Sequence, residues 1–130
     1  MKVWMNMKEI IGAINGTYEF AGKGYKFTYP LRRAMRMNLR ALEPEYKIFD
    51  EERNRILSEA ESTDPNEIAF AEKKVLEMME YKVKVDIEKV PESELKNVET
   101  TYYEEKLIDY MLTWPEDEEK EEETTDERGN

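Results

Sequence analysis

The run STDPNEIAFAEKKVLEMMEYKVKVDIEKVP, Ser62 to Pro91, contains a helix start, a helix and a strand in succession. Asp64 stands where an N-cap belongs, with Pro65 at the first helical position and Glu67 at the third. That is a capping-box pattern with a preorganised proline, and it opens a helix. Ile68, Ala71, Val75 and Met79 form its apolar seam, with Phe70 and Met78 alongside. The period then changes from helical to two. Tyr81, Val83, Val85 and Ile87 alternate with Lys82, Lys84, Asp86 and Glu88 before Pro91. β-Branched residues on the apolar side make this a half-buried strand. A lone strand leaves its backbone groups unpaired, so it needs partners. Two stretches offer them: Val3 and Met5 between Lys2, Trp4 and Asn6, and Tyr25, Phe27 and Tyr29 between Lys26 and Thr28. The second follows the Gly22-Lys23-Gly24 turn.

Upstream of Ser62 the pattern is helical. Ile10, Ile11, Ile14 and Tyr18 predict a helix from Met7 to about Phe20, weakened by about 1 kcal/mol at each of Gly12 and Gly16. From Leu31, the positions Met35, Leu39, Leu42, Tyr46, Phe49 and Ile56 make a heptad-like seam, with Arg53 at the missing step. Pro44 falls inside this run and predicts a kink or short break near Arg40–Leu42. Two amphipathic helices joined by a short polar turn favour an antiparallel hairpin. The seam serves equally for burial within one chain or for a second copy, so a homo-oligomer stays open. Downstream, Thr101 and Glu104 repeat the capping pattern and open a last helix carrying Leu107, Ile108, Met111 and Leu112, ending before Pro115.

The fold class expected is α+β and helix-rich: a kinked antiparallel helical hairpin, a small antiparallel sheet and a disordered acidic tail. Residues 1–114 read as one domain, which suits a chain of 130 residues, and residues 115–130 as the tail. The tail has no apolar residue beyond Pro115 and carries nine acidic against two basic side chains.

Charge is segregated along the chain. Residues 1–40 are net +6, residues 41–114 net −10 and residues 115–130 net −7, for a total of −11. An acidic total argues against a plain DNA binder unless the basic surface stays apart from the rest. The chain has no His and no Cys. That excludes Ser–His–Asp and Cys–His catalysis, zinc fingers and internal disulfides. No segment reaches the ~20 apolar residues of a membrane span, and no signal-peptide core is present at the N-terminus, so a soluble, cytoplasmic protein is expected.

Chemistry-bearing motifs are few. Arg32, Arg36 and Arg40, with Arg33 beside them, fall on one helical face opposite the apolar seam. Such a stripe binds a partner's acidic groups or phosphates, or else pairs internally with the acidic excess. The run Glu116-Asp117-Glu118-Glu119 with Glu121-Glu122-Glu123 mimics a polyanion or simply keeps the chain in solution. Trp4, Tyr18, Phe20, Tyr25, Phe27 and Tyr29, interleaved with Lys23 and Lys26, offer base-stacking surface, but the alternation reads Tyr25, Phe27 and Tyr29 as core facing. Tyr102, Tyr103 and Tyr110 cluster near the last helix as a partner-binding edge. Carboxylates are abundant, yet none stands alone in an apolar run, and no EF-hand or phosphate loop occurs. No cofactor, metal or catalytic residue is expected.

The order of elements resembles a known family. A helix with an Asn15-Gly16 stop, a Gly turn and a short strand lead into a long charged helix from Leu31 to about Ala60. The stretches EYKVKVDIEKVPESEL, Glu80 to Leu95, and TTYYEEKLIDYMLT, Thr100 to Thr113, carry most of the likeness. Residues 7–113 resemble short, acidic proteins encoded in phages and prophages of Gram-positive bacteria, a domain of unknown function. The resemblance implies a phage context and a bacterial host cytoplasm, and supplies no site residues.

The expected function is therefore a non-enzymatic phage accessory protein that binds another protein, of host or phage. Its role would be that of an inhibitor or adaptor of a host factor or defence enzyme, or of an assembly factor. Arg32, Arg33, Arg36, Arg40, Tyr102, Tyr103 and Tyr110 are the expected contacts. The alternative is a nucleic-acid-binding module using the basic N-terminal third, with the acidic tail as its autoinhibitor.

Overall fold

Asn6 ends the first strand and starts the first helix. Its Oδ1 accepts the Glu9 N–H at 2.8 Å, and the Glu9 carboxylate accepts the Asn6 N–H at 3.1 Å. This reciprocal cap fixes the junction of β1 (Lys2–Asn6) with α1 (Met7–Ala21) in the computed structural model, which describes residues 1–60 and 63–115. The expectation of a disordered 115–130 tail falls, from Glu116 onward, outside the described residues.

α1 runs straight through Asn15-Gly16, where the sequence predicts a stop. Gly16 is buried, and a Cβ there would overlap the Leu107 carbonyl oxygen. The glycine thus permits a close helix crossing and does not end the helix.

The expected strand Tyr25–Tyr29 does not form. Gly24 turns the chain with φ 76°, and Thr28 then N-caps α2 (Tyr29–Glu59), accepting the Leu31 N–H at 3.4 Å. Local capping with Pro30 at the second helical position outcompetes the strand alternation. Phe27 stacks on Phe20 at 5.2 Å between centroids and Tyr25 meets Phe27 edge-on at 6.0 Å, so these two rings still face the core. Tyr29 does not; it is exposed on the first turn of α2.

α2 passes Pro44 without the expected break. Proline removes one N–H, the donor that the Arg40 carbonyl would otherwise use, while its neighbours keep their bonds. The heptad-like seam is buried at Leu31, Met35, Leu42 and Phe49 and only partly at Leu39, Tyr46 and Ile56. Ala34 and Asn38 are buried as well, so the core-facing stripe is broader than the heptad.

Asp64 caps α3 (Pro65–Glu80) as expected, its carboxylate accepting the Asn66 N–H at 2.9 Å. β2 (Lys82–Asp86) then pairs antiparallel with β1, Lys2 opposite Asp86, Trp4 opposite Lys84 and Asn6 opposite Lys82. Val3, Met5, Val83 and Val85 form the inner face; Lys2, Trp4, Lys82, Lys84 and Asp86 form the outer one. This two-stranded sheet is the small antiparallel sheet of the α+β, helix-rich architecture. β3 (Val90–Pro91) leads into a 3-10 turn over Glu92–Leu95.

The last helix is shorter than its pattern predicts. Thr101 and Glu104 form the expected capping box, but α4 covers only Tyr102–Leu107. A 3-10 turn, Asp109–Met111, follows, and β4 (Leu112–Thr113) pairs in parallel with β3. Ile108, Met111 and Leu112 are buried even so. The core collects them with Ile10, Phe20, Leu31, Leu42 and Ile87 between α1, α2 and the inner sheet face. Among the described residues, no helix is long and apolar enough to cross a membrane.

Candidate partner-binding face

Asn38 anchors the buried side of α2, opposite the basic stripe. Its amide nitrogen donates to the Glu88 carbonyl at 3.0 Å and its Oδ1 accepts the Glu88 N–H at 2.7 Å. This two-bond clamp on another segment's backbone replaces a strand partner and fixes Ile87–Lys89 against the helix. With that side held, the opposite face of α2 turns to solvent.

Arg32, Arg33, Arg36 and Arg40 are all exposed there. Arg33 forms an ion pair with Glu88, and the hydrogen bond from its guanidinium raises its pKa further above the ordinary arginine range. Among the described residues, the guanidinium groups of Arg32, Arg36 and Arg40 make no ion pair or hydrogen bond. The internal-pairing account of the stripe therefore holds for Arg33 alone. The four arginines, with Tyr29 and Met37, line a shallow cleft of about 350 Å³.

The electrostatics of this end of α2 are one-sided. α1, α3 and α4 each carry an acidic residue in the first turn, whereas α2 carries none. Its macrodipole and the arginines therefore add rather than cancel. The first carboxylate along α2, Glu43, is engaged by the Tyr18 hydroxyl at 2.7 Å. A positive field thus survives on a chain of net charge −11. Guanidinium groups about 6 Å apart along the axis suit a partner with repeated carboxylates or phosphates.

The tyrosines do not join this face. Tyr102 and Tyr103 are exposed at the start of α4, with Lys106 4.8 Å from the Tyr102 ring centroid and the Tyr103 hydroxyl donating to Glu19 at 3.3 Å. Tyr110 is partly buried, its hydroxyl 2.6 Å from Thr17 Oγ1. Burial raises the Tyr110 pKa, partly offset by its hydrogen bonds with Thr17 and Asn38. No hydrogen bond, ion pair or ring contact joins Tyr102 or Tyr103 to Arg32, Arg36 or Arg40 among the described residues.

Comparison of the chain with known protein families, characterised proteins and solved structures finds no match.

Two further features mark the surface. Trp4 is 59% exposed on the outer sheet face, with the Lys84 ammonium 5.6 Å from its ring centroid. A groove of about 650 Å³ also opens between α2 and α3, lined by Ile56, Phe70, Ala71, Met78 and Tyr81 among others. The hidden signal for Trp4 is its place opposite Lys84, which needs the strand register and cannot be read from either segment alone.

Proposed function

We propose that this chain is a non-enzymatic phage accessory protein that binds an acidic partner protein through the arginine face of α2. The observation carrying this reading is that the guanidinium groups of Arg32, Arg36 and Arg40 have no ion-pair partner among the described residues, in a chain with eleven more acidic than basic residues. Surface guanidiniums on such a chain ordinarily find a carboxylate, and keeping three apart maintains a field that a complementary surface would meet. The likeness of Glu80–Leu95 and Thr100–Thr113 to phage-encoded sequences supports the phage context.

The test uses the full chain and its Arg36→Glu, Arg40→Glu double variant. A labelled oligoglutamate peptide serves as acidic probe, read by anisotropy, and nuclease-treated host lysate supplies candidate partners. Both side chains are exposed, so the variant keeps the wild-type melting curve while peptide binding and capture of a stoichiometric partner disappear. Unchanged capture removes the face from the account.

A nucleic-acid reading rests on a different observation, the Trp4 ring exposed beside Lys84 with Lys2 and Lys82 on the same outer face. An exposed indole flanked by ammonium groups is the element that stacks bases in single-strand binders. It predicts salt-dependent binding of an oligothymidylate that Trp4→Ala abolishes.

A further inference from the structure

α3 spans 16 residues and buries only Ala71. Phe70 and its C-cap Tyr81 are 61% and 72% exposed, and both line the α2–α3 groove together with the less exposed Ile56, Ala71 and Met78. Between the two aromatics the same ridge carries Lys74 and Glu77, which also line the groove. Steps of four, three and four place Phe70, Lys74, Glu77 and Tyr81 in one row along the helix. Both charged groups are exposed, and among the described residues neither side chain makes a hydrogen bond or ion pair. The Lys74 ammonium rests on the Phe70 ring, 4.8 Å from its centroid. On the α2 wall, by contrast, Arg55 is held within the chain by Glu52 and Glu59. The ridge therefore reads aromatic, base, acid, aromatic, and turned end for end it becomes its own complement.

We propose that a second copy of this chain docks on this ridge, α3 against α3 and antiparallel, about a two-fold axis between Lys74 and Glu77. Lys74 then faces the partner's Glu77, and Phe70 meets the partner's Tyr81. A two-fold contact repeats every pair, so each ion pair and each aromatic pair occurs twice. With α2 flanking α3 in each copy, the two hairpins form a four-helix bundle. Charge selects the direction: a parallel alignment sets Lys74 on Lys74 and Glu77 on Glu77. It also selects the occupant, since a partner of one sign is repelled by either Lys74 or Glu77, whereas a second copy satisfies both. Twelve side chains line the groove, fewer than the roughly 20–30 residues a side of a standard stable interface. The dimer is accordingly weak, with a dissociation constant on the order of 10 µM. This surface shares no residue with the arginine face, so the two proposals stand or fall separately.

Sedimentation equilibrium of the full chain, from about 1 µM to about 1 mM, tests this and should show a monomer passing into a dimer. Lys74→Glu alone, and Glu77→Lys alone, set like charges together at both symmetric contacts. Each should weaken the dimer at least about tenfold. Mixed in equal amounts, the two variants should associate again, because each supplies the charge the other lacks. The double variant Lys74→Glu, Glu77→Lys should likewise dimerise with itself. Phe70→Ala, which removes an aromatic anchor, should weaken the dimer without any such rescue. Both charged side chains are exposed, so all charge variants should keep the wild-type melting curve at about 1 µM. A wild-type chain that stays monomeric through about 1 mM overturns the proposal. So does a dimer indifferent to Lys74→Glu and Phe70→Ala, which must use another surface. Single variants that weaken the dimer but fail to re-associate on mixing overturn the antiparallel pairing and the proposal with it.

Discussion

The two halves of α2 face different surroundings. From Tyr29 to Leu42 the helix buries Leu31, Ala34, Met35, Asn38 and Leu42 against α1 and the Ile87–Lys89 segment. From Glu43 to Glu59 it buries only Phe49 and leans on α3, which itself buries only Ala71. The first half is held by packing and a backbone clamp. The second is held by a thin seam plus surface pairs such as Arg55 with Glu52 and Glu59, which contribute little each. The contrast places the cooperative core at one end of the molecule, beneath the arginine face, and leaves the hairpin tip the first part to open.

The sharpest way to break this comparison is to spoil the tight end where backbones meet. Gly16→Val puts a branched side chain into the Leu107 carbonyl, and backbone cannot give way as a side-chain tip can. We expect a loss of about 3 kcal/mol or more, or no folded protein, read by urea unfolding. Gly12 on the same helix is the control, because a Cβ there meets nothing within 4 Å. Gly12→Ala should stabilise by about 1 kcal/mol. Equal effects at the two glycines would mean the α1–α4 crossing is looser than described.

Asn38→Ala comes next. It removes both bonds to Glu88 and leaves a part-buried N–H and carbonyl without their partner, for a loss of about 2 kcal/mol by the same unfolding measurement. A loss under about 0.5 kcal/mol would show that water or relaxation replaces the clamp.

Much of this comparison was legible beforehand, and the exceptions share a cause. Asp64-Pro65 and Thr101-x-x-Glu104 marked helix starts because capping is a local contract between residues two or three apart. The β1 and β2 alternations marked strands because the period of two is written in each segment. The same alternation misled at Tyr25–Tyr29, where Thr28 and Pro30 begin a helix that the ring pattern does not reveal. Met111 and Leu112 kept the burial expected of them and lost the helix, since β3 offers Leu112 a backbone partner that only the tertiary fold brings near. Asn38 gave no signal and Gly16 read as a helix stop, because their roles are defined by Glu88 and Leu107, each at least fifty positions away. At the site, the spacing of Arg32, Arg36 and Arg40 showed a common face; their lack of partners needed the whole fold. Tyr110 read as part of an exposed edge because a tyrosine's wet and buried settings look alike in sequence, and its hydroxyl instead meets Thr17.

A smaller effect depends on pH. Glu104 is buried at the start of α4, and the Tyr25 hydroxyl donating at 2.7 Å, with the Thr101 backbone N–H, holds its carboxyl below the usual carboxylate range. Because the folded pKa is lowered, the stabilisation is complete above the unfolded value of about 4.3 and is lost as pH falls through the folded one. Glu104→Gln removes the titrating group, so its stability should fall less steeply than wild type between about pH 5 and pH 3. Urea midpoints at three pH values decide this, and parallel curves would assign the acid loss to other carboxylates.

The smallest expected effect belongs to the open end, and it tests whether that end is truly open. Phe70 is 61% exposed on the wall of the α2–α3 groove, touched mainly by the Lys74 ammonium at 4.8 Å. Removing an aromatic ring that water already wets forfeits little transfer energy, so Phe70→Ala should change stability by less than about 0.5 kcal/mol. A comparable ring in the core, Phe20, would cost about 3–5 kcal/mol on the same substitution. The measurement gains force when repeated across a hundredfold range of protein concentration. A midpoint that rises with concentration in the wild type, and stops rising in Phe70→Ala, would mean that a second copy covers the groove. A midpoint independent of concentration in both leaves Phe70 solvated and the hairpin tip held within one chain by a thin seam that includes Phe49, Ala71, Val75 and Met78.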